Sequence, residues 1–172
     1  MIRIAPERAD DRWEVEYLLD TAFAPGRTAL SSYRLREGVE PVASLCLTAR
    51  DDDEIGALAG LIRYWPIEIG AKAWPALLLG PVAAHPTRQG EGIGAQLILE
   101  SLDLAAQQGW ERVVLIGDEP YYGRFGFRRD LAVRLEFPPP TNPRRILARA
   151  LVIGAMDNVS GQVRAAKASA RS

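Results

Sequence analysis

Three alternating glycines form the segment of this sequence best suited to hold an anionic ligand. Gly90, Gly92 and Gly94 lie between an unbroken apolar run, residues 77–84, and an amphipathic stretch, residues 95–108. Glycine allows close approach of a ligand to the backbone and adopts positive φ readily. If a helix begins after the loop, its first amides have no intrahelical acceptor and its dipole adds partial positive charge. The segment therefore predicts a phosphate or pyrophosphate site at a helix N-terminus.

The spacing of the glycines separates the families that build such a site. A P-loop requires Lys and Ser or Thr after its last glycine, and Gly94 is followed by Ala95 and Gln96, which excludes it. A dinucleotide-binding fold requires Gly-x-Gly-x-x-Gly next to the strand and an acidic residue about 20 positions later. Asp118 keeps that alternative open, although residues 85–89 separate the strand from the first glycine and the third glycine comes one position early.

An aromatic segment further along the chain contains candidate proton donors. Residues 121–127 read Tyr-Tyr-Gly-Arg-Phe-Gly-Phe. A phenol with an ordinary pKa near 10 stays protonated at neutral pH and can act as a general acid. The single cysteine, Cys46, excludes an internal disulfide and a cysteine-ligated metal site, and the single histidine, His85, excludes a two-histidine metal site.

Composition limits the protein classes that remain. The 172 residues suit one domain, and 48% hydrophobic with 25% charged residues is typical of a globular protein. A net charge of −1 and a pI near 5.9 argue against binding to nucleic acid or a membrane surface through charge. The N-terminus does not resemble a signal peptide, and no run approaches the roughly 20 apolar residues of a membrane span. We expect a cytoplasmic domain over residues 1–159 and a flexible tail over residues 160–172.

Hydrophobic periodicity predicts the elements that must position these residues. Asp11 and Glu14 resemble a capping box at the start of a first helix, which Pro25 and Gly26 end. A short second helix is expected at residues 31–36, and a third, residues 95–108, ends at Gly109. Strands are expected at residues 2–5, 42–49, 55–65, 77–84, 113–116, 133–137 and 148–153. The order predicts an α/β fold with a mixed, partly antiparallel sheet and one crossover helix.

Three motifs resemble one known family. Gln89-Gly90-Glu91-Gly92-Ile93-Gly94 resembles the Gln/Arg-x-x-Gly-x-Gly/Ala signature of the GNAT superfamily of acyl-CoA-dependent N-acetyltransferases. Ala84-His85-Pro86 resembles the Val-x-Pro strand end of that family, and residues 121–127 resemble its Phe-Tyr-x-x-x-Gly-Phe motif. The resemblance covers residues 77–127 by motif and the remaining chain by the order of its elements.

The resemblance implies a GNAT-like α/β fold with a mixed, largely antiparallel central sheet, splayed central strands and flanking helices. The splayed strands would be residues 77–84 and 113–116, with the acetyl thioester of acetyl-CoA in the gap between them. Amides near Ala84 would stabilise the oxyanion, and amides from Arg88 to Gly94 would hold the pyrophosphate. An amine would attack the thioester directly in a ternary complex, without a metal.

The resemblance also assigns roles to individual residues. Tyr122 corresponds to the tyrosine that protonates the departing CoA thiolate, whereas Tyr121, Phe125 and Phe127 are expected to be core aromatics. Many relatives have a longer helix before this tyrosine, where the present chain has only residues 117–120. The predicted CoA-binding residues are Val82, Ala83, Ala84, Arg88, Gln89, Gly90, Gly92, Ile93, Gly94, Ala95, Tyr122 and Arg124.

The base and the acceptor remain open at this stage. Deprotonating an amine with a pKa of about 10.4 at pH 7 costs roughly 4.6 kcal/mol, and Glu68, Asp118 and His85 are the candidate bases. The acceptor would be a primary amine of a small molecule or peptide, selected by residues 23–36 and 137–144. The rival interpretation is a non-catalytic acyl-CoA-binding sensor or structural module. The resemblance also allows a homodimer.

Overall fold

The structure, a computed structural model, describes residues 1–23 and 31–166, and within them an open sheet with helices packed on it. The strands are β1 Ile2–Pro6, β2 Leu47–Asp51, β3 Ala57–Ile69, β4 Trp74–Ala84, β5 Arg112–Ile116, β6 Leu135–Glu136, β7 Ile146–Ala150 and β8 Gly161–Ala165. The helices are α1 Arg12–Ala22, α2 Ser31–Arg34, α3 Ile93–Gln107 and α4 Glu119–Tyr122. None of the helices in these two ranges is long and apolar enough to cross a membrane.

The sheet is largely antiparallel with a parallel pair at its centre. Its strand order is β1-β2-β3-β4-β5-β7, with β8 paired to the end of β3 and β6 paired to β8. β4 and β5 are parallel and are joined by the crossover helix α3, whereas β1 to β4 and the β5–β7 pair are antiparallel. The predicted fold class, a mixed sheet with one clear crossover helix, is confirmed.

The two central strands separate towards their carboxyl ends. Their pairing consists of Leu77 with Val113 and Leu78 with Val114, although β4 continues to Ala84. Beyond these pairs, the edge of β4 that faces β5 is open. The predicted splay is therefore present, and it opens the middle of the sheet.

A bulge in β4 lies at the start of the separation. Ile62 pairs with Val82 and Tyr64 with Leu79, so the register shifts between these two pairs and β4 contains one extra residue. The extra residue belongs to the Gly80-Pro81 step, and a bulge bends a strand and increases its local twist. Bending of β4 here is consistent with its departure from β5.

Close packing of α3 on the sheet depends on one small residue. The face of α3 that was expected to be apolar is buried against β3 and β4. A Cβ atom on Gly60 of β3 would lie 2.8 Å from the carbonyl oxygen of Ala83 and 2.8 Å from Cγ2 of Ile93. Gly60 thus allows the first turn of α3 to lie close to the sheet, next to the open edge of β4.

The predicted capping box of α1 is wrong. The Asp11 carboxylate accepts a hydrogen bond from the Arg8 amide at 2.7 Å, which caps the preceding turn Ala9–Asp11 instead. Asp11 and Glu14 both bind the Arg50 guanidinium, at 2.6 and 3.0 Å. Burial raises the pKa of Asp11, but the hydrogen bonds from Arg8 and Arg50 outweigh it and lower the pKa overall. A long-range ion pair has replaced the local cap.

Other predicted boundaries also differ from those in the structure. The expected strand at residues 42–49 begins as a helical turn, Ala43–Leu45, and the strand expected at 133–137 is reduced to Leu135–Glu136. The flexible tail predicted from residue 160 is wrong for Gly161–Ala165, which form β8 because Val163 is buried and the segment pairs with the end of β3. Residues 167–172, like the expected helix stop at Pro25 and Gly26, lie outside the described residues.

Candidate functional site

A cleft of about 500 Å³ lies where β4 separates from β5 and α3 begins. Every residue that the resemblance assigns to CoA binding lines it. These are Val82, Ala83, Ala84, Arg88, Gln89, Gly90, Gly92, Ile93, Gly94, Ala95, Tyr122 and Arg124. Ala22, Phe23 and Tyr121 also line the cleft and were not predicted. The first two come from the end of α1, whose position over the cleft depends on tertiary packing.

The glycine loop lines this cleft and leads directly into α3. Gly90 and Gly92 have φ of +86° and +79°, a conformation that side chains disfavour, and a Cβ on either would meet no atom within 4 Å. Gly92 immediately precedes α3, and the first helical hydrogen bond runs from the Gln96 amide to the Gly92 carbonyl. The amides before Gln96 in the first turn therefore have no intrahelical acceptor, which is the arrangement that an anion site at a helix N-terminus requires.

The open edge of β4 supplies two further donors. The His85 amide donates to the Ala59 carbonyl at 2.8 Å and so points towards β3. Because successive amides of a strand point to opposite sides, the amides of Ala84 and Val82 point away from β3, towards the gap beside β5. The pairing of β5 with β4 ends at Val114, so β5 does not pair with either Val82 or Ala84. They are placed to bind a carbonyl oxygen or an extended chain that lies in the gap.

Tyr122 lies at the junction of the cleft and the gap. It ends α4, and its ring packs edge-on against Tyr121 at 4.9 Å and Phe127 at 6.2 Å between centroids. The pKa of Tyr122 is raised to about 12, mainly by burial; the nearby Tyr121 and Asp118 also raise it, and Arg145 lowers it. The phenol is therefore protonated at neutral pH and can donate a proton but not accept one.

Tyr121 is not the core residue that was expected. Its side chain is 40% exposed and lines the cleft, and its hydroxyl lies 3.5 Å from the position that a Cβ on Gly94 would take. The Arg124 guanidinium lies 4.5 Å above its ring. Phe125 and Phe127 are buried, as predicted. The exposed position of α4 explains the difference, because a single helical turn over the cleft can bury only part of its aromatic residues.

The two arginines of the cleft differ in their surroundings. Arg88 is bound by the carboxylates of Asp51 at 2.7 Å and Glu91 at 3.0 Å. These acids offset its charge and hold it in place beside the glycine loop. Arg124 has no ion pair within the part of the chain that the structure describes, and it contacts the Tyr121 carbonyl at 3.3 Å. Arg124 is therefore the better placed of the two to attract a phosphate.

The candidate bases are not brought together. Glu68 pairs with Pro75 at the far end of β4 and faces Arg164 at 3.8 Å. At about 3.3 Å per residue, Pro75 and Ala84 are roughly 30 Å apart along the strand. Glu68 is thus not part of the site, since the long β3 strand carries it beyond the hairpin position that the sequence suggested.

Of the other two candidate bases, His85 faces a different cavity and Asp118 remains near the site. The Nδ1 atom of His85 lies 3.2 Å from the Thr87 amide, and the imidazole lines a cavity with Trp13 and Tyr17. Asp118 precedes α4 and lies 3.3 Å from Arg145. Asp118 and Tyr122 line a common cavity of about 550 Å³. Asp118 is therefore the one predicted base that the structure places next to Tyr122.

A smaller cavity of about 150 Å³, here called the acceptor cavity, adjoins the cleft. It shares Phe23, Val82 and Tyr122 with the cleft. Its other lining residues come from α2 and the turn after it and from the separating strands. They are Ser32, Tyr33, Arg36, Leu78, Leu79, Gly80, Pro81, Leu115 and Ile116. The sequence had pointed to residues 23–36 for acceptor selection but had not singled out Arg36 or the bulge.

Comparison with known proteins assigns the family. A family model for the acetyltransferase (GNAT) domain matches residues 3–129, which is most of the chain. The chain belongs to the GNAT family of acetyltransferases. The GNAT resemblance seen in its motifs is thereby confirmed.

Individual GNAT proteins resemble the chain over most of its length. An uncharacterized N-acetyltransferase, YhbS of Escherichia coli K12, is 28% identical over 149 residues, which cover 87% of each chain. The crystal structure of E. coli YhbS in complex with CoA has a TM-score of 0.81 and 26% identity, covering 99% of this chain and 92% of that one. A GNAT acetyltransferase of Brucella melitensis in complex with acetyl-CoA has a TM-score of 0.72 and 29% identity, covering 98% and 97%.

Proposed function

We propose that this GNAT protein is an N-acetyltransferase that binds acetyl-CoA in the cleft and acetylates a primary amine of a small molecule or peptide in a ternary complex. The observation that carries the proposal is the open edge of β4, where Val82 and Ala84 line the same cleft as the glycine loop and Tyr122. The CoA and acetyl-CoA complexes of the E. coli and Brucella relatives support it.

The cleft suits the three parts of acetyl-CoA in order. The amides around Gly92 at the start of α3 suit the pyrophosphate, and Arg124 at the rim adds a positive charge. The open edge of β4 can pair with the extended pantetheine chain as a missing strand would. At the end of that chain, the thioester carbonyl would accept hydrogen bonds from the Val82 and Ala84 amides.

Acetyl transfer would then proceed by direct attack of the amine on the bound thioester. The lone pair of a neutral amine attacks the carbonyl carbon, a C–N bond forms, and the negative charge on the oxygen is stabilised by the Val82 and Ala84 amides. Collapse of this intermediate breaks the C–S bond, and the departing thiolate takes the proton of the Tyr122 hydroxyl. The proton lost by the nitrogen returns to the phenolate through solvent. The products are the amide and free CoA thiol, with the protein unchanged.

A phenol with a pKa of about 12 can serve a thiolate because both lie in the same apolar gap. A thiol has an ordinary pKa of about 8.5, and burial makes its thiolate more basic. The effect occurs within this protein, where burial raises the pKa of Cys46 to about 11. Burial in the gap therefore raises the basicity of the leaving thiolate together with that of the Tyr122 phenolate.

Asp118 is the proposed acceptor of the first proton. An amine arrives largely as an ammonium ion and must lose one proton before it attacks. Asp118 shares a cavity with Tyr122 and is 73% exposed, so a proton taken up through a water molecule can pass to solvent. Its carboxylate lies 3.3 Å from Arg145.

Two measurements test the proposal. Acetyl-CoA is expected to raise the melting temperature, since a ligand at 100 times its Kd adds about 2.7 kcal/mol of stability, whereas NAD and ATP are expected to have no such effect. Release of free thiol from acetyl-CoA should then depend on an added amine. A shift with NAD but none with acetyl-CoA would overturn the proposal, and binding without turnover across a broad amine panel would favour the non-catalytic module.

A further inference from the structure

The acceptor cavity contains a single charged side chain among its described residues. That side chain is Arg36, and the remaining lining is apolar apart from the hydroxyls of Ser32, Tyr33 and Tyr122. No carboxylate lines the cavity within the described parts of the chain. An acceptor that carried a second positive charge would meet a like charge at Arg36.

The Arg36 guanidinium is held in a defined position. It lies 4.1 Å from the ring centroid of Tyr33 and 5.4 Å from that of Trp65. Trp65 is itself fixed, because its indole nitrogen donates to the Gly80 carbonyl at 2.7 Å. A terminal guanidinium nitrogen lies 3.5 Å from the position that a Cβ on Gly80 would take. The two rings and the bulge thus orient Arg36 at the point where β4 bends away from β5.

An oriented guanidinium recognises a planar anion best. Its parallel N–H groups match the two oxygens of a carboxylate, and stacking on aromatic rings reduces the entropy lost on binding. The cavity volume of about 150 Å³ is comparable with engineered cavities that bind benzene. A cavity of this size suits a short molecule that carries both a carboxylate and an amine.

We propose that Arg36 binds the carboxylate of the acceptor, and that the acceptor is a small amino acid or a similar amine that carries a carboxylate. The inference rests on the proposed function, because it assigns the acceptor of that reaction. The carboxylate anchors the molecule at the bulge, and the amine then points towards Tyr122 and the thioester. Arg36 is thereby a specificity-determining residue in the site.

The test uses probes that differ only in the carboxylate. A panel of amino acids is compared with the amines obtained by replacing each carboxylate with hydrogen, such as leucine with 3-methylbutylamine, with free-thiol release as the readout. Wild type should prefer the amino acid by about 10- to 100-fold in kcat/KM, the range expected for hydrogen bonds to a charged group. The preference should appear mainly in KM, because the carboxylate does not take part in the bond changes.

Two arginine variants provide the decisive comparison. Arg36→Met should remove the preference while acetyl-CoA binding and the melting temperature stay close to those of wild type. Arg34→Met is the matched control, since Arg34 lies on α2, is exposed and does not line the cavity. It removes the same charge from the same segment and should retain the preference. Equal effects of the two variants would show that net charge, and not Arg36, selects the acceptor.

A binding measurement keeps this inference separate from the proposed function. Amino acids and their decarboxylated amines are titrated into the protein saturated with CoA, and the heat of binding measures their affinities. Acetylation of amines without any preference for the carboxylate would leave the proposed function standing and overturn the role of Arg36. Absence of amino-acid binding to the CoA complex would also overturn it. If acetyl-CoA itself does not bind, the proposed function fails and this inference fails with it.

Discussion

The ring of Tyr122 packs directly over the α-carbon of Gly117. A Cβ at Gly117 would lie 2.8 Å from Cδ2 of Tyr122 and 3.1 Å from Cδ1 of Leu115. Contacts this close cannot be accommodated without movement of the ring. Gly117 therefore sets the position of the phenol relative to the gap between β4 and β5, although it lines neither the cleft nor the acceptor cavity.

Gly117→Ala is therefore predicted to slow acetyl transfer. Displacement of a catalytic group by about 1 Å can lower a rate on the order of 100-fold, and we expect a kcat decrease of about 10- to 100-fold with acetyl-CoA affinity retained. Gly123→Ala is the matched control, because Gly123 is helical and its added Cβ would meet no atom within 4 Å. Equal kcat values for the two variants in a thiol-release assay would contradict the prediction.

Tyr122→Phe tests the chemistry itself. The variant keeps the ring and its contacts with Phe127 and Gly117 but removes the proton. We expect kcat to fall on the order of 100-fold, the usual contribution of a general acid, while acetyl-CoA binding is nearly unchanged. Tyr121→Phe should lower kcat by no more than about threefold, because the Tyr121 hydroxyl lies beside Gly94 and not in the gap. Wild-type kcat in Tyr122→Phe would assign the donor role to water or another group.

The raised pKa of Tyr122 predicts the pH dependence of its contribution to kcat. Burial raises the pKa of Tyr122 to about 12, so the donor stays protonated, and active, throughout the range where an ordinary tyrosine would ionise. The advantage of wild type over Tyr122→Phe should stay constant from pH 7 to about 10.5, and decline only as the pH approaches the raised pKa. Paired kcat profiles measure the ratio directly. A decline centred near pH 9 would show that the phenol titrates below its ordinary value once the complex forms.

The local motifs of the site were predictable because each depends on few neighbouring residues. Positive φ at Gly90 and Gly92 follows from the turn itself, and the helix start after them follows from the apolar periodicity. Tyr122 was identified by its spacing from Gly126, which adopts positive φ at the end of the same turn. The residues that determine these features are close to one another in the sequence as well as in space.

The features that were missed depend on long-range packing. The bulge at Gly80 arises from the register between β3 and β4, and Arg36 reaches the site because it stacks on Trp65 of another strand. Glu68 was placed wrongly because the length of β3 could not be inferred from its apolar pattern. The strand β8 was missed because only its pairing with β3 buries Val163.

Asp51 is predicted to support acetyl-CoA binding through Arg88. The hydrogen bond from Arg88 is the main reason why the pKa of Asp51 lies below its ordinary value, so the pair is charged at neutral pH. Asp51→Asn should loosen Arg88 beside the glycine loop and raise KM for acetyl-CoA about three- to tenfold, with kcat unchanged. Asp52→Asn is the control, because Asp52 binds Arg3 on the surface and does not contact Arg88. Identical KM values for both variants would show that Arg88 is held in place by Glu91 alone.

Gly92→Val is predicted to lower the affinity for acetyl-CoA through a direct effect on the cleft, in addition to lowering the stability of the fold. Gly92 and Gly109 stand at opposite ends of α3 with φ of +79° and +89°, and an added Cβ would meet no protein atom within 4 Å at either position. Gly92→Val and Gly109→Val should therefore lose similar amounts of stability, since the left-handed conformation costs a side chain roughly 1–2 kcal/mol.

Only the Gly92 side chain would enter the cleft, because Gly109 does not line it. We expect Kd for acetyl-CoA to rise at least tenfold, roughly 1.4 kcal/mol, in Gly92→Val and to stay near the wild-type value in Gly109→Val. Calorimetric titration of both variants, at a temperature where melting curves show them folded, makes the comparison. An unchanged Kd in folded Gly92→Val would show that the glycine loop is only a turn between β4 and α3 and does not contact acetyl-CoA. A rise shared equally by the two variants would trace the effect to the stability of α3 and not to contact with the phosphates.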